Sequence, residues 1–182
     1  VEIIIDLKHI EEMAKEKEEE NWAFRSFLKQ HDMAGKELDA LVHQITDEIS
    51  SQIDCTKCAN CCKQIRPVLD QDDISEFASG LKMAEPEFQE IYLSPHEEIS
   101  AKQVFNGLPC PFLTDNRCSN YACRPKDCRS YPHLHKEGFV TRLWGVVENY
   151  AICPIVFNVY EQLKAELWYS DGLDDDDLLD YP

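Results

Sequence analysis

The chain has 182 residues and sets 18 Lys plus Arg against 35 Asp plus Glu, a formal charge of −17. That length fits one domain with one core, and the charge repels phosphate backbones and anionic membrane faces, so nucleic acid and membrane are excluded as partners. Its six glycines (Gly35, Gly80, Gly107, Gly138, Gly145, Gly172) lie at least seven residues apart, so no G-x-G-x-x-G, G-x-x-x-x-G-K-[ST] or G-x-S-x-G motif can be written.

Charge divides unevenly along the chain. Residues 1–54 carry 14 acids and 6 bases, residues 55–160 carry 13 and 11, and residues 161–182 carry 8 and 1. The acidity belongs to the ends, and the centre is near balance. The opening Val-Glu-Ile-Ile-Ile-Asp has no basic segment and too short an apolar stretch for a secretory signal, and it begins without Met. No apolar run approaches the ~18 residues that span a bilayer.

Asp6 to about Gln30 is rich in Glu, Lys, Met and Leu and predicts helix. Its first half, with Glu18, Glu19 and Glu20 in a row, reads as a solvated face. Its second half brings Trp22, Phe24, Phe27 and Leu28. After Gly35, the apolar residues Leu38, Leu41, Val42, Ile45, Ile49 and Ile53 recur at three- and four-residue steps, the stripe of a helix over 36–53. Ile65 to Leu69 reads as extended. Asp70 caps a short helix ended by Gly80, and a second runs from Glu85 to Leu93 with Pro86 in its first turn. Prolines at 109, 111, 125 and 132 forbid a long helix between Gly107 and Glu137, which predicts loop with short strands at most. Phe139 to Val147 alternates like a strand or hairpin arm. Pro154 opens a last amphipathic helix over 154–169, and the tail from Asp171 is a solvated acidic run.

The nine cysteines, none within the first 54 residues, carry the strongest chemical signal. An odd count without a secretion signal points to a reducing cytosol, where clustered cysteines bind metal or react more often than they form disulfides. Cys55-Thr-Lys-Cys58-Ala-Asn-Cys61-Cys62 places three thiols at successive x2 spacings, similar to the ferredoxin-type run that holds a cubane cluster with a remote Cys-Pro. Cys153-Pro154 supplies such a pair. Adjacent side chains point in different directions, so Cys61 and Cys62 serve different metals or bridge two. Cys110, Cys118 and Cys128 would complete a set with Cys62. The count favours two four-thiolate sites or one polynuclear cluster, with one cysteine left over. Thiolate ligation accepts both zinc and iron.

Four ordered blocks carry a family resemblance: C-x2-C-x2-C-C; Pro109-Cys110-Pro-Phe-Leu; Cys118-Ser-Asn-Tyr121; and Arg124-Pro-Lys-Asp-Cys128-Arg-Ser-Tyr-Pro132. Over roughly residues 55–155 the chain resembles the YkgJ-type cysteine-cluster family of zinc- or iron-chelating domains. The resemblance implies metal ligands at Cys55, Cys58, Cys61, Cys62, Cys110, Cys118, Cys128 and Cys153, and leaves Cys123 as the spare. Flagellin lysine N-methylases carry a similar pattern, which adds methyl transfer as a family-level activity; the chain is short for such an enzyme and lacks the radical-type C-x3-C-x2-C.

Around these blocks, His133 and His135 would share one side of an extended strand, as further ligands or as a solvated loop. Arg124 and Arg129 flank Cys128 and either donate to thiolate sulfur or pair with carboxylates. Asp127 and Glu148 are the nearest acids, and nothing marks either as a general base. The expected architecture is mainly α: a small α+β domain whose irregular, cysteine-rich, metal-stapled loop layer packs on amphipathic helices. Its divisions are an acidic N-terminal helical arm packing on the core (1–54), a cysteine-cluster metal-binding domain (55–169) and an acidic tail (170–182). The expected function is cytosolic zinc or iron binding at thiolate sites, structural or metal-handling, with metal ions as partners and a protein partner left open. The alternative is an iron–sulfur (4Fe-4S) or metal-dependent enzyme doing redox or methyl transfer. Metal binding should couple to folding, because 107–137 is too proline-broken to build its own core.

Overall fold

The computed structural model describes residues 3–33 and 35–169; the acidic tail expected over 170–182 lies outside them. The described residues form two units, one from 3–53 with 132–169 (residue 34 aside) and the other from 54–131. The architecture is mainly α with a small β part, as the residue patterns predict. Among the described residues no helix is long and apolar enough to cross a membrane.

The first unit is helical. The expected single helix from Asp6 is two, α1 (Leu7–Glu16) and α2 (Glu18–Gln30), divided at Lys17, whose φ of −100° and ψ of 17° break the turn. Asp6 caps α1 by accepting the His9 amide at 2.9 Å. The predicted stripe forms α3 (Gly35–Ser50), burying Leu38, Val42, Ile45 and Ile49. The last helix here, numbered α10 because others intervene in the chain, spans Pro154–Leu167 and buries Ile155, Val156, Val159, Tyr160 and Leu163. It packs on α3 and α1.

Residues 139–147 correct the strand expectation. Gly138, at φ +74°, leads into a tight 3-10 turn, Phe139–Arg142, followed by α9 (Leu143–Tyr150). The buried Asp39 carboxylate, on α3, accepts the Gly138 and Phe139 amides at 2.7 and 2.8 Å and so caps this turn from outside. A short apolar run does not distinguish strand from helix; here Leu143, Val146 and Tyr150, at helical steps, face the core. Nor is there a strand at His133 and His135. His133 takes a left-handed φ of 66°, while His135 Nε2 meets Asp47 Oδ1 at 2.8 Å and its ring stacks on His43. Glu20, expected on a solvated face, instead accepts from Lys164 at 2.6 Å.

The second unit begins with two short helices, α4 (Cys55–Cys58) and α5 (Asn60–Gln64), divided at Ala59 in the left-handed region. Strand β1 (Val68–Leu69) follows, then α6 (Gln71–Leu81), α7 (Glu85–Tyr92), β2 (Leu93–Pro95) and β3 (Gln103–Phe105). The three strands pair antiparallel in the order β1-β3-β2, with Val68 opposite Val104 and Leu93 opposite Phe105. Asp70 caps α6 as expected, in a reciprocal box with Asp73, but the helix ends at Lys82 in the left-handed conformation rather than at Gly80. A two-residue turn at Asp115 and Asn116, both with positive φ, joins β4 (Leu113–Thr114) to β5 (Arg117–Cys118); that is the primed geometry tight hairpins require. Helix α8 (Lys126–Ser130) completes the unit.

This unit has an apolar core of its own. Phe77 meets Phe112 at 4.6 Å, Phe105 at 5.4 Å and Phe88 at 5.5 Å between ring centroids. Leu69, Ile74, Ala78 and Leu93 complete the cluster, and Cys110 and Cys118 pack against its edge. Phe112 comes from the proline-broken stretch, so that stretch contributes to a core that the sequence did not lead us to expect.

Candidate metal centre

No disulfide links the nine cysteines. Eight belong to the second unit, and Cys153 belongs to the first, where it is buried at the N-terminus of α10. Backbone contacts bring the second unit's cysteine segments together. The Cys110 amide donates to the Cys62 carbonyl at 2.8 Å, Cys118 pairs with Leu113 across the β4–β5 hairpin, and Asn116 Nδ2 reaches the Lys57 carbonyl at 3.4 Å.

The thiols of Cys62, Cys110, Cys118 and Cys128 lie within electrostatic range of one another. Burial pushes Cys128 up to about 12, and charge on Cys62, Cys110, Asp127 and Cys118 adds to the shift. Burial likewise pushes Cys110 up to about 11, against the Phe112 amide, which donates to its sulfur; Cys62 and Cys118 raise it further. Cys118 is raised by burial, opposed by the Asn120 amide. In both loops the amide two residues on points at the sulfur, an arrangement that favours the thiolate when a cation is present. Cys62 is the exception: a hydrogen bond from the Cys61 thiol holds it down at about 7 against burial, helped by Arg124 and Lys63. The Cys61 thiol is thus within hydrogen-bond reach of the Cys62 sulfur. Cys55 is raised by burial and by charge on Cys58 and Asp54.

The flanking arginines divide between the two readings of them. Arg129 forms a fork with Glu76 at 3.1 and 3.4 Å. Arg124 lies over the Tyr121 ring at 3.4 Å, donates to the Tyr121 carbonyl, and stands near enough to Cys62 and Cys118 to favour their thiolates. Asp127 accepts the Val68 amide, and Glu148 accepts Trp144 Nε1; both acids are engaged structurally.

Sequence reasoning missed the part played by α6, which carries no cysteine. Asn120 is buried and donates from Nδ2 to the Phe77 carbonyl at 2.9 Å, fixing the loop whose amide points at Cys118. Gly80 makes that approach available: a Cβ there would lie 2.5 Å from Asn120 Oδ1 and 2.6 Å from Cys123 Sγ. Cys123 thus lies against α6. Gly80→Ala should gain about 1 kcal/mol of helix propensity and lose roughly 1–3 kcal/mol to overpacking against a pinned neighbour. A lower urea midpoint is expected; a stabilised variant would show that Asn120 moves freely.

Among the described residues, no three His, Cys, Asp or Glu side chains are placed to hold one ion as they stand. The fit to zinc or iron lies in the donors: soft thiols, brought together by backbone contacts, with amides aimed at sulfur. Such a donor set defines a cysteine-cluster metal-chelating domain. Residues 54–149, more than half the chain, match the CxxCxxCC family, described as a putative zinc- or iron-chelating domain, and the chain belongs to that family. No curated protein and no solved structure matches it.

Proposed function

We propose that this chain is a thiolate-ligated zinc or iron protein of the cytosol, with a structural or metal-handling role. Cys62, Cys110, Cys118 and Cys128 would hold one ion, and Cys55, Cys58 and Cys61 supply further donors. The observation that carries the reading is the joining of their segments: the Cys110 amide donates to the Cys62 carbonyl at 2.8 Å, Cys118 stands opposite Leu113 in the β4–β5 hairpin, and the Phe112 and Asn120 amides point at the Cys110 and Cys118 sulfurs. Bound there, the metal would cross-link the short elements α5, β5 and α8 and the loop at Cys110. A site filled by protein sulfur suits a structural or storage role, whereas a catalytic site keeps a position open.

The test is anaerobic purification with metal analysis, then chelation followed by amide hydrogen exchange. Metal removal is expected to expose amides in 54–64 and 108–130, while α6 and α7, held by the Phe77 cluster, keep their protection. Unchanged protection in both cysteine segments, or a chain purified without metal, would refute the reading. Iron with labile sulfide in that preparation would transfer the function to the iron–sulfur alternative.

A further inference from the structure

We propose that the buried carboxylate of Asp73 is the positioning residue for Cys128, acting through its hydrogen bond to the Lys126 amide; the proposal rests on Cys128 being a metal ligand. Asp73 is only 3 % exposed. Its Oδ2 accepts the Asp70 amide at 3.1 Å and closes the capping box of α6, while its Oδ1 accepts the Lys126 amide at 2.8 Å. One carboxylate therefore caps two helices, and the second, α8, carries Cys128 as its third residue.

Helix α8 needs this outside cap. It has five residues, and the residue before it is Pro125, whose side chain offers no acceptor. A helix this short does not sustain itself, so the place of its cysteine is set by what grips its first turn. The other grips are weaker. Lys126 Nζ reaches Asp70 and Asp72, and Arg129 reaches Glu76, but these pairs are exposed to solvent and contribute little. Asp127 adds a bond to the Val68 amide at 3.1 Å. Both carboxylate–amide bonds are charge-assisted, the stronger kind, but the Asp73 bond is the shorter, comes from the more deeply buried carboxylate, and is the one that caps the first amide of α8. A four-thiolate ion needs every one of its sulfurs within bonding reach, so losing the grip on the first turn of α8 should cost it the Cys128 sulfur.

The face of α6 that does this is one stripe. Asp73, Glu76, Phe77 and Gly80 stand at helical steps, and each meets the segment from Asn120 to Arg129. Helix α6 is in effect the template on which two ligand loops are laid.

Cobalt(II) titration of the full reduced chain tests the proposal, because sulfur-to-cobalt charge-transfer bands report the number of bound thiolates. Lys126→Pro deletes the amide at a first-turn position that accepts proline, and the extended Pro125 suits a following proline. Lys126→Ala removes the same side chain and keeps the amide, and Cys128→Ser marks the loss of one thiolate. Lys126→Pro and Asp73→Ala are expected to match Cys128→Ser, losing about a quarter of the charge-transfer intensity of a four-thiolate ion, while Lys126→Ala matches the unaltered chain. If Asp73→Ala does not fold, the Lys126 pair decides. Full intensity in Lys126→Pro, or equal loss in Lys126→Ala, overturns the proposal. An unaltered chain that binds cobalt with no thiolate band overturns the metal reading beneath it instead.

Discussion

Metal affinity is expected to rise about a thousandfold per pH unit between roughly pH 7.5 and 9. Without metal, burial holds protons on Cys110 up to about 11 and on Cys128 up to about 12, and Cys118 is raised as well. Cys62, held down at about 7 by the Cys61 thiol, is ionised through that window. Binding one ion to four thiolates therefore expels about three protons, and each contributes tenfold per pH unit. Competition against a chelator of known affinity, repeated across the window, measures the slope. A slope of tenfold or less would mean that these thiols are not the ligands.

The same shifts fix the sign of a stability effect. In the unfolded chain these cysteines ionise near their ordinary value of about 8.5. Between that pH and the raised folded values, the folded state binds more protons than the unfolded one, so the metal-free protein loses stability as pH rises. Loaded protein, whose thiolates are already ionised, should not follow that decline. Thermal melts of both forms from pH 8 to 10 separate the two behaviours.

Removing the Lys164 charge should cost about 3–5 kcal/mol. Its ammonium is fully buried and donates to Glu20 at 2.6 Å and Glu161 at 2.7 Å. Lys17 also pairs with Glu161, Tyr150 donates to Glu161, and Tyr169 donates to Glu20. Burial works against ionising Glu20 and Glu161, yet the lysines and hydroxyls outweigh it and hold both below the usual carboxylate range. Lys164→Met keeps most of the packed stem and leaves two carboxylates facing one lysine, so urea unfolding at pH 7 should show nearly the full loss. The stability these depressed carboxylates contribute is present above their ordinary pKa and disappears as pH falls through the folded values. The penalty of Lys164→Met should therefore shrink in acid. A loss under about 1 kcal/mol at pH 7 would show the network to be solvated.

Much of the helical frame was legible because its signals are local. Asp70 before Ile74 and Phe77 gives both the cap and the stripe of α6, and Pro154 followed by a periodic apolar face gives α10. The failures have physical causes. Phe139 to Val147 satisfies strand and helix patterns equally, and what decides between them is Asp39, about 100 residues earlier, whose carboxylate caps the turn. The Asp115-Asn116 turn lacks the glycine that usually marks a primed hairpin.

At the metal centre, the donor types were legible from spacing alone. Their relations were not. The hydrogen bond from the Cys61 thiol to Cys62 is one such relation, because adjacent side chains on a helix such as α5 point in different directions and nothing local signals it. Asp73 read as one more acid in Asp70-Gln-Asp-Asp73, because nothing local shows that its second oxygen meets Lys126. The role of Gly80 depends on Asn120, 40 residues later. Capping and close-approach contacts between distant residues are what a single sequence leaves out.

Whether these thiols hold metal is read from X-ray absorption at the metal edge of anaerobically purified protein. The prediction is a sulfur first shell, at about 2.3 Å if the metal is zinc, diminished in Cys128→Ser. A first shell of nitrogen and oxygen near ~2.0 Å, or no stoichiometric metal at all, would contradict it.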